Sequence, residues 1–80
     1  MTAIEFNQQL LSYQNPLKYF ALKLTADNED AEDLLQETFL KALKYKDKFQ
    51  EKTNLKAWLY TIMKNTFINN YRRAVRKRTI

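Results

Sequence analysis

Apolar residues recur along this chain at three- and four-residue spacing, the signature of amphipathic helices. The strongest run is Ala31, Leu34, Leu35, Thr38, Phe39, Ala42 and Leu43, which fall on one stripe. Asp33, Gln36, Glu37 and Leu40 face the opposite way. Later in the chain, Leu55, Trp58, Leu59, Ile62, Met63 and Thr66 form a second inward stripe. Outside it lie Ala57, Tyr60, Thr61, Lys64, Ile68 and Tyr71, with Asn65 on the border and Arg72 just beyond.

Punctuation agrees with helices. Glycine is absent and there is a single proline. Asn15-Pro16 predicts a helix start, with Pro16 at the first helical position and Asn15 as its cap. Asp27 can cap a further helix, with Glu29 and Asp30 set against the positive end of its dipole. Thr53 or Asn54 can cap the last one. The expected spans are about 4–13, 16–25, 27–46 and 53–78, with a polar connection around Phe49. The predicted fold class is all-α, a compact bundle of three to four helices.

With 80 residues the chain makes one domain, able to bury only about 60% of its unfolded surface. Having no cysteine, it has neither disulfides nor thiolate metal sites, which suits a reducing cytoplasm. No apolar run is long enough for a membrane span, and the N-terminus does not read as a signal peptide. Lack of histidine removes the commonest general base and metal ligand, and lack of glycine removes the usual phosphate-cradling loops. A non-enzymatic protein without cofactor or metal is expected.

Charge is divided along the chain. Six acids and no basic residue lie between Asp27 and Glu37, whereas twelve basic residues stand against two acids from Lys41 onward. The basic half suits a polyanion, with nucleic acid the default; solvated helix faces are the plainer alternative. Leu40, among polar groups, is either a docking anchor or an ordinary surface leucine. Aromatics interleaved with cations on the last helix suit single-stranded nucleic acid, the rings stacking on bases and the cations tracking phosphates. Tyr60 and Tyr71 can equally pack against a neighbouring helix.

Taken together, the segment 30–39 (DAEDLLQETF), Phe49 at its spacing, the segment 53–60 (TNLKAWLY), Asn65 and Tyr71-Arg72-Arg73 resemble region 2 of extracytoplasmic-function (ECF) sigma factors of bacterial RNA polymerase. The resemblance spans roughly residues 16–78, and its specificity lies in the order and spacing of pieces that are weak singly.

This resemblance implies two partners. Asp33, Gln36 and Glu37, with Leu40 beside them, match the positions that dock on the clamp coiled coil of the largest polymerase subunit. Phe49, Tyr60, Ile62 and Asn65 match a pocket for one flipped non-template base of the promoter minus-ten element, with Lys41 and Tyr45 close to it. Arg72, Arg73, Arg76, Lys77 and Arg78 match a segment of DNA-backbone contacts, to which Lys64 is added from its outward face. Trp58 matches a family position too, although periodicity places it in the core. Family members also bind anti-sigma factors, work in the cytoplasm on nucleoid DNA, and carry a second domain that reads the minus-thirty-five element. No counterpart of that domain is present in the 80 residues.

Opening a duplex costs a few kcal/mol per unstacked base, which a pocket must recover by stacking and edge hydrogen bonds. Phe49 and Tyr60 offer faces, and the Asn65 amide both donates and accepts. Phe49, Tyr60 and Asn65 are therefore expected to converge at one water-exposed mouth. The main rival is a sigma-like decoy that binds an anti-sigma factor without promoter DNA; the aromatic and cationic residues present argue against it. A helix-turn-helix duplex reader lacks a polar recognition helix here, and a membrane-surface helix sits poorly with Trp58 on the buried side.

Overall fold

The computed structural model describes residues 2–50 and 52–78, with Arg78 as backbone only. Helices α1 (Ala3–Ser12), α2 (Gln14–Thr25), α3 (Asn28–Lys44) and α4 (Leu55–Arg78) follow one another, with a short 3₁₀ turn at Lys46–Lys48. There is no strand among the described residues. The fold is all-α, a four-helix bundle.

Each boundary has a local cause. Thr2 caps α1: its Oγ1 accepts from the Glu5 amide at 3.1 Å and donates to the Glu5 carboxylate at 3.1 Å, a reciprocal device that satisfies an otherwise unpaired amide. The α1–α2 boundary differs from the expectation built on Asn15 and Pro16. Helix α2 opens at Gln14 and Pro16 is its third residue, while the boundary residue Tyr13 offers no side-chain cap. A proline ring clashes with the carbonyl four residues back, here Ser12, so the chain must break between them. Pro16 itself is tolerated because first-turn amides have no intrahelical acceptor to lose.

Helix α2 ends at Ala26, whose backbone is left-handed at φ 57° and ψ 25°. In a chain without glycine this non-glycine residue turns the corner, and the Thr25 hydroxyl braces it by donating to the Ala21 and Asp27 carbonyls at 2.9 and 3.1 Å. Asp27 then caps α3, its carboxylate accepting from the Asp30 amide at 2.9 Å. At the far end α3 stops at Lys44, two residues short of the expected span, and the chain tightens into the 3₁₀ turn. Asn54 caps α4 through the Lys56 and Ala57 amides at 3.0 and 3.4 Å. Thr53 does not cap; its hydroxyl donates back to the Gln50 carbonyl at 2.6 Å.

The core gathers Phe6 and Leu10 of α1, Leu17 and Ala21 of α2, Ala31, Leu34, Leu35 and Ala42 of α3, and Leu55, Leu59 and Met63 of α4. Two threonines are buried with them. Thr38 donates to the Leu34 carbonyl at 2.7 Å, and Thr66 accepts from the Lys41 ammonium at 3.0 Å. Helices α2 and α3 form a hairpin, and α4 packs on both. One ion pair ties the hairpin outside the core, Lys18 to Glu32 at 3.0 Å, with both side chains about half exposed; such a pair contributes at most about 1 kcal/mol.

A radius of gyration of 13.5 Å exceeds the roughly 12 Å expected for 80 residues in a rounded domain. Helix α4 is the reason. Its 24 residues span about 36 Å at 1.5 Å each, and everything from Tyr71 to Lys77 is exposed. The basic end of α4 thus projects past the bundle.

Left-handed backbone costs alanine roughly 1–2 kcal/mol, while glycine at the same place costs about 0.4–1 kcal/mol of unfolded-state entropy. Replacing Ala26 with glycine should therefore stabilise the fold by about 0.5–1 kcal/mol in urea unfolding. A loss of stability would mean that the corner is not held in this conformation.

Candidate nucleic-acid interface

Three residues of α4 at four- and three-residue spacing, Trp58, Ile62 and Asn65, share one flank of the helix. The loop after the 3₁₀ turn lays Phe49 against the start of that flank. Phe49 has extended backbone, and its amide donates to the Lys46 carbonyl at 3.1 Å. Its ring centroid lies 5.2 Å from that of Trp58 and 6.2 Å from that of Phe6, with Phe6 and Trp58 themselves 6.2 Å apart. These tilted and edge-on geometries are the favourable ones for aromatic pairs. Phe49, Trp58 and Ile62 are half-buried, and Asn65 is exposed.

Lys41 is half-buried and reaches across from α3 to Thr66, one residue beyond Asn65. Tyr45, the residue ending α3, is exposed, with the ammonium groups of Lys44 and Lys48 at 5.4 and 5.6 Å from its ring centroid. Such distances suit cation–π attraction.

Tyr60 is placed differently. Two residues from both Trp58 and Ile62, it is turned about 200° round the helix from either. Its ring meets Phe20 of α2 edge-on at 4.8 Å, and the Lys56 ammonium lies 5.9 Å from its centroid. Phe49 and Tyr60 therefore stand on opposite flanks of α4, and Asn65 is about 140° from Tyr60. The single mouth expected of Phe49, Tyr60 and Asn65 is not formed. A five-residue separation on one helix cannot bring Tyr60 and Asn65 together, and the loop carrying Phe49 covers only one side. Tyr60 instead borders a hollow of about 380 Å³ with Pro16, Tyr19, Phe20 and Lys23, of which only Pro16 stood out in the sequence, and then as a helix start. The signal available was Tyr19 and Lys23 at i, i+4 spacing on α2.

On α3, Asp33, Gln36 and Leu40 are exposed, Leu40 by 67%. Glu37 departs from that outward stripe. It is half-buried, and its carboxylate accepts from the Asn70 amide of α4 at 2.9 Å. Because α3 and α4 run antiparallel, the acidic start of α3 meets the far part of α4 across a cleft of about 580 Å³, whose walls include Asp30, Asp33, Glu37, Phe67, Asn70 and Tyr71.

Lys64, Arg72, Arg73, Arg76 and Lys77 are exposed on α4. Asn69, Arg72, Arg73 and Arg76 line a shallow hollow of about 230 Å³. The side chain of Arg78 lies outside the described residues. No group of metal-ligating side chains occurs among the described residues. None of their helices is long and apolar enough to cross a membrane.

The bundle thus presents an acidic stripe on α3 and exposed aromatic and basic residues on α4. Residues 10–77 match the family model of Sigma-70 region 2, and the chain belongs to that family. It is 46% identical over 61 residues to ECF RNA polymerase sigma factor EcfG of Rhodopseudomonas palustris, covering 76% of this chain and 34% of that protein. To RNA polymerase sigma factor YlaC of Bacillus subtilis it is 45% identical over 64 residues, covering 80% and 36%. Among solved structures, sigma factor RpoE in complex with the anti-sigma factor NepR from Bartonella quintana superposes with a TM-score of 0.86 at 41% identity, covering 91% of this chain and 46% of that one. The chain spans about a third of the length of the curated relatives it matches. It is a region 2 domain of ECF type.

Burial separates structural from surface roles on α3 and α4. Losing the Glu37–Asn70 hydrogen bond through Asn70→Ala should cost about 1 kcal/mol, whereas Leu40→Ala should change stability by less than about 0.5 kcal/mol. Chemical unfolding of both variants checks this; a large loss for Leu40→Ala would make it a packing residue.

Proposed function

We propose that the domain docks on RNA polymerase core through the outward stripe of α3 and captures the non-template strand of an opened promoter minus-ten element along α4. The observation that carries this reading is the flank where half-buried Phe49, Trp58 and Ile62 border exposed Asn65, with Lys41 reaching the adjacent Thr66. Apolar rings, an amide able to read a base edge, and cations for phosphate are what an extruded nucleobase needs. Family membership supports the polymerase and promoter partners, and the RpoE–NepR neighbour supports an anti-sigma partner.

In this reading one base docks on the Phe49 side, where Asn65 tests its edge. Lys64 and the projecting arginines and lysines of α4, continuing to Arg78, hold the sugar–phosphate backbone without regard to sequence. Asp33, Gln36 and Leu40 meet the clamp coiled coil, and Glu37 contributes from the edge of that stripe. Bond-making belongs to the polymerase; the domain supplies binding energy and base selection and needs no cofactor. Its place of action is the cytoplasm.

Asn65→Ala is expected to alter the ranking of single-stranded minus-ten variants in a titration panel. A uniform loss across the panel would remove its base-reading role. Replacing Arg72, Arg73 and Lys77 with glutamine should weaken every oligonucleotide alike and reduce the slope of log affinity against log salt by about 0.7 per lost phosphate contact. An unchanged slope would place the strand elsewhere. Substituting the exposed Gln36 and Leu40 should abolish association with polymerase core while leaving oligonucleotide binding by the free domain intact; joint loss would make the stripe structural.

A further inference from the structure

We infer that the hollow between α2 and α4, walled by Tyr19, Phe20 and Tyr60, is a second nucleobase subsite for single-stranded DNA, on the opposite flank of α4 from Phe49. The inference rests on the reading of α4 as a strand-binding helix.

Three features point to a base. Pro16, Tyr19, Phe20, Lys23 and Tyr60 border an open hollow of about 380 Å³, within the roughly 300–1,000 Å³ range of small-ligand sites. Tyr19 is 70% exposed, with little bundle packing to account for a ring there. Phe20 meets Tyr60 edge-on at 4.8 Å, a contact that fixes both rings while occupying at most one face of either. Charge gives the sign of the occupant. No carboxylate lines the hollow, and Lys23 stands at its rim with Lys56 over the Tyr60 ring at 5.9 Å. An open hollow lined by three aromatic rings, with Lys23 in its wall and Lys56 over one ring, suits a base attached to a phosphate.

The path between the two flanks is open. Ala57, Thr61 and Lys64 occupy the outward face of α4 between Tyr60 and Asn65, and all three are exposed. Alanine and threonine are short enough for a sugar–phosphate chain to lie close, and Lys64 supplies a cation midway. One strand could thus cross the helix, leaving a base on each side.

The test is fluorescence anisotropy of the 80-residue chain with a labelled single-stranded deoxyoligonucleotide carrying one abasic position moved along it. Tyr19→Ala should weaken binding about tenfold, the stacking contribution of one base, and Tyr19→Trp should restore it. Lys23→Gln should weaken it less and flatten its salt dependence. At one abasic position the Tyr19→Ala effect should vanish, because no base is left to stack. Helix content by circular dichroism should match the unaltered chain, since Tyr19 is exposed. If the unaltered chain binds but Tyr19→Ala binds equally well, or loses affinity equally at every abasic position, the subsite is wrong while strand binding stands. If the unaltered chain does not bind single strands at all, this inference and the promoter-strand reading fall together.

Discussion

Everything in this domain depends on the antiparallel seam between α3 and α4. The buried stripe of α3 packs with Leu59, Met63 and Thr66 of α4 in one core, and two side-chain hydrogen bonds fix the register, Lys41 to Thr66 and Asn70 to Glu37. No buried side-chain polar atom among the described residues is left without a partner, so the seam carries no polar penalty. That register decides which surfaces are neighbours. It sets the acidic start of α3 beside the projecting end of α4, and the lysine-rich end of α3 beside Phe49 and the first turns of α4.

The division of charge along the sequence follows partly from helix electrostatics. Asp27, Glu29 and Asp30 stand at the positive end of the α3 dipole, and Lys41 and Lys44 at its negative end, each placement worth a few tenths of a kcal/mol or more. Arg76 and Lys77, in the last turn of α4, stand likewise at the negative end of that helix's dipole, and Arg72, Arg73, Arg76 and Lys77 are exposed.

Much of the fold was legible because the α3 stripe and the buried positions of α4 obey a period that leaves few other structures. Asp27 as a cap was legible for the same reason: a short acceptor just before an amphipathic run. What failed was finer. Asn15 and Pro16 read as a helix start, yet the break falls at Tyr13, because the ring of Pro16 excludes the carbonyl four residues earlier. Glu37 read as outward, and a cross-helix partner, Asn70, draws it into the seam. Pairings over thirty residues apart leave no local periodic trace. Gathering Phe49, Tyr60 and Asn65 into one pocket ignored helical rotation, which sets Tyr60 on the α2 side. Tyr19 and Phe20 escaped notice because their meaning depends on how α2 lies on α4.

The central claim is that the polymerase-docking stripe of α3 and the strand-binding surface of α4 are separate faces held by one seam. Simultaneous binding tests it most directly: sedimentation of the domain with a fragment of the clamp coiled coil and a labelled single-stranded oligonucleotide. A ternary species in which neither partner displaces the other is the expected result. Mutual exclusion of the two partners would show that they share one face, and would contradict the claim.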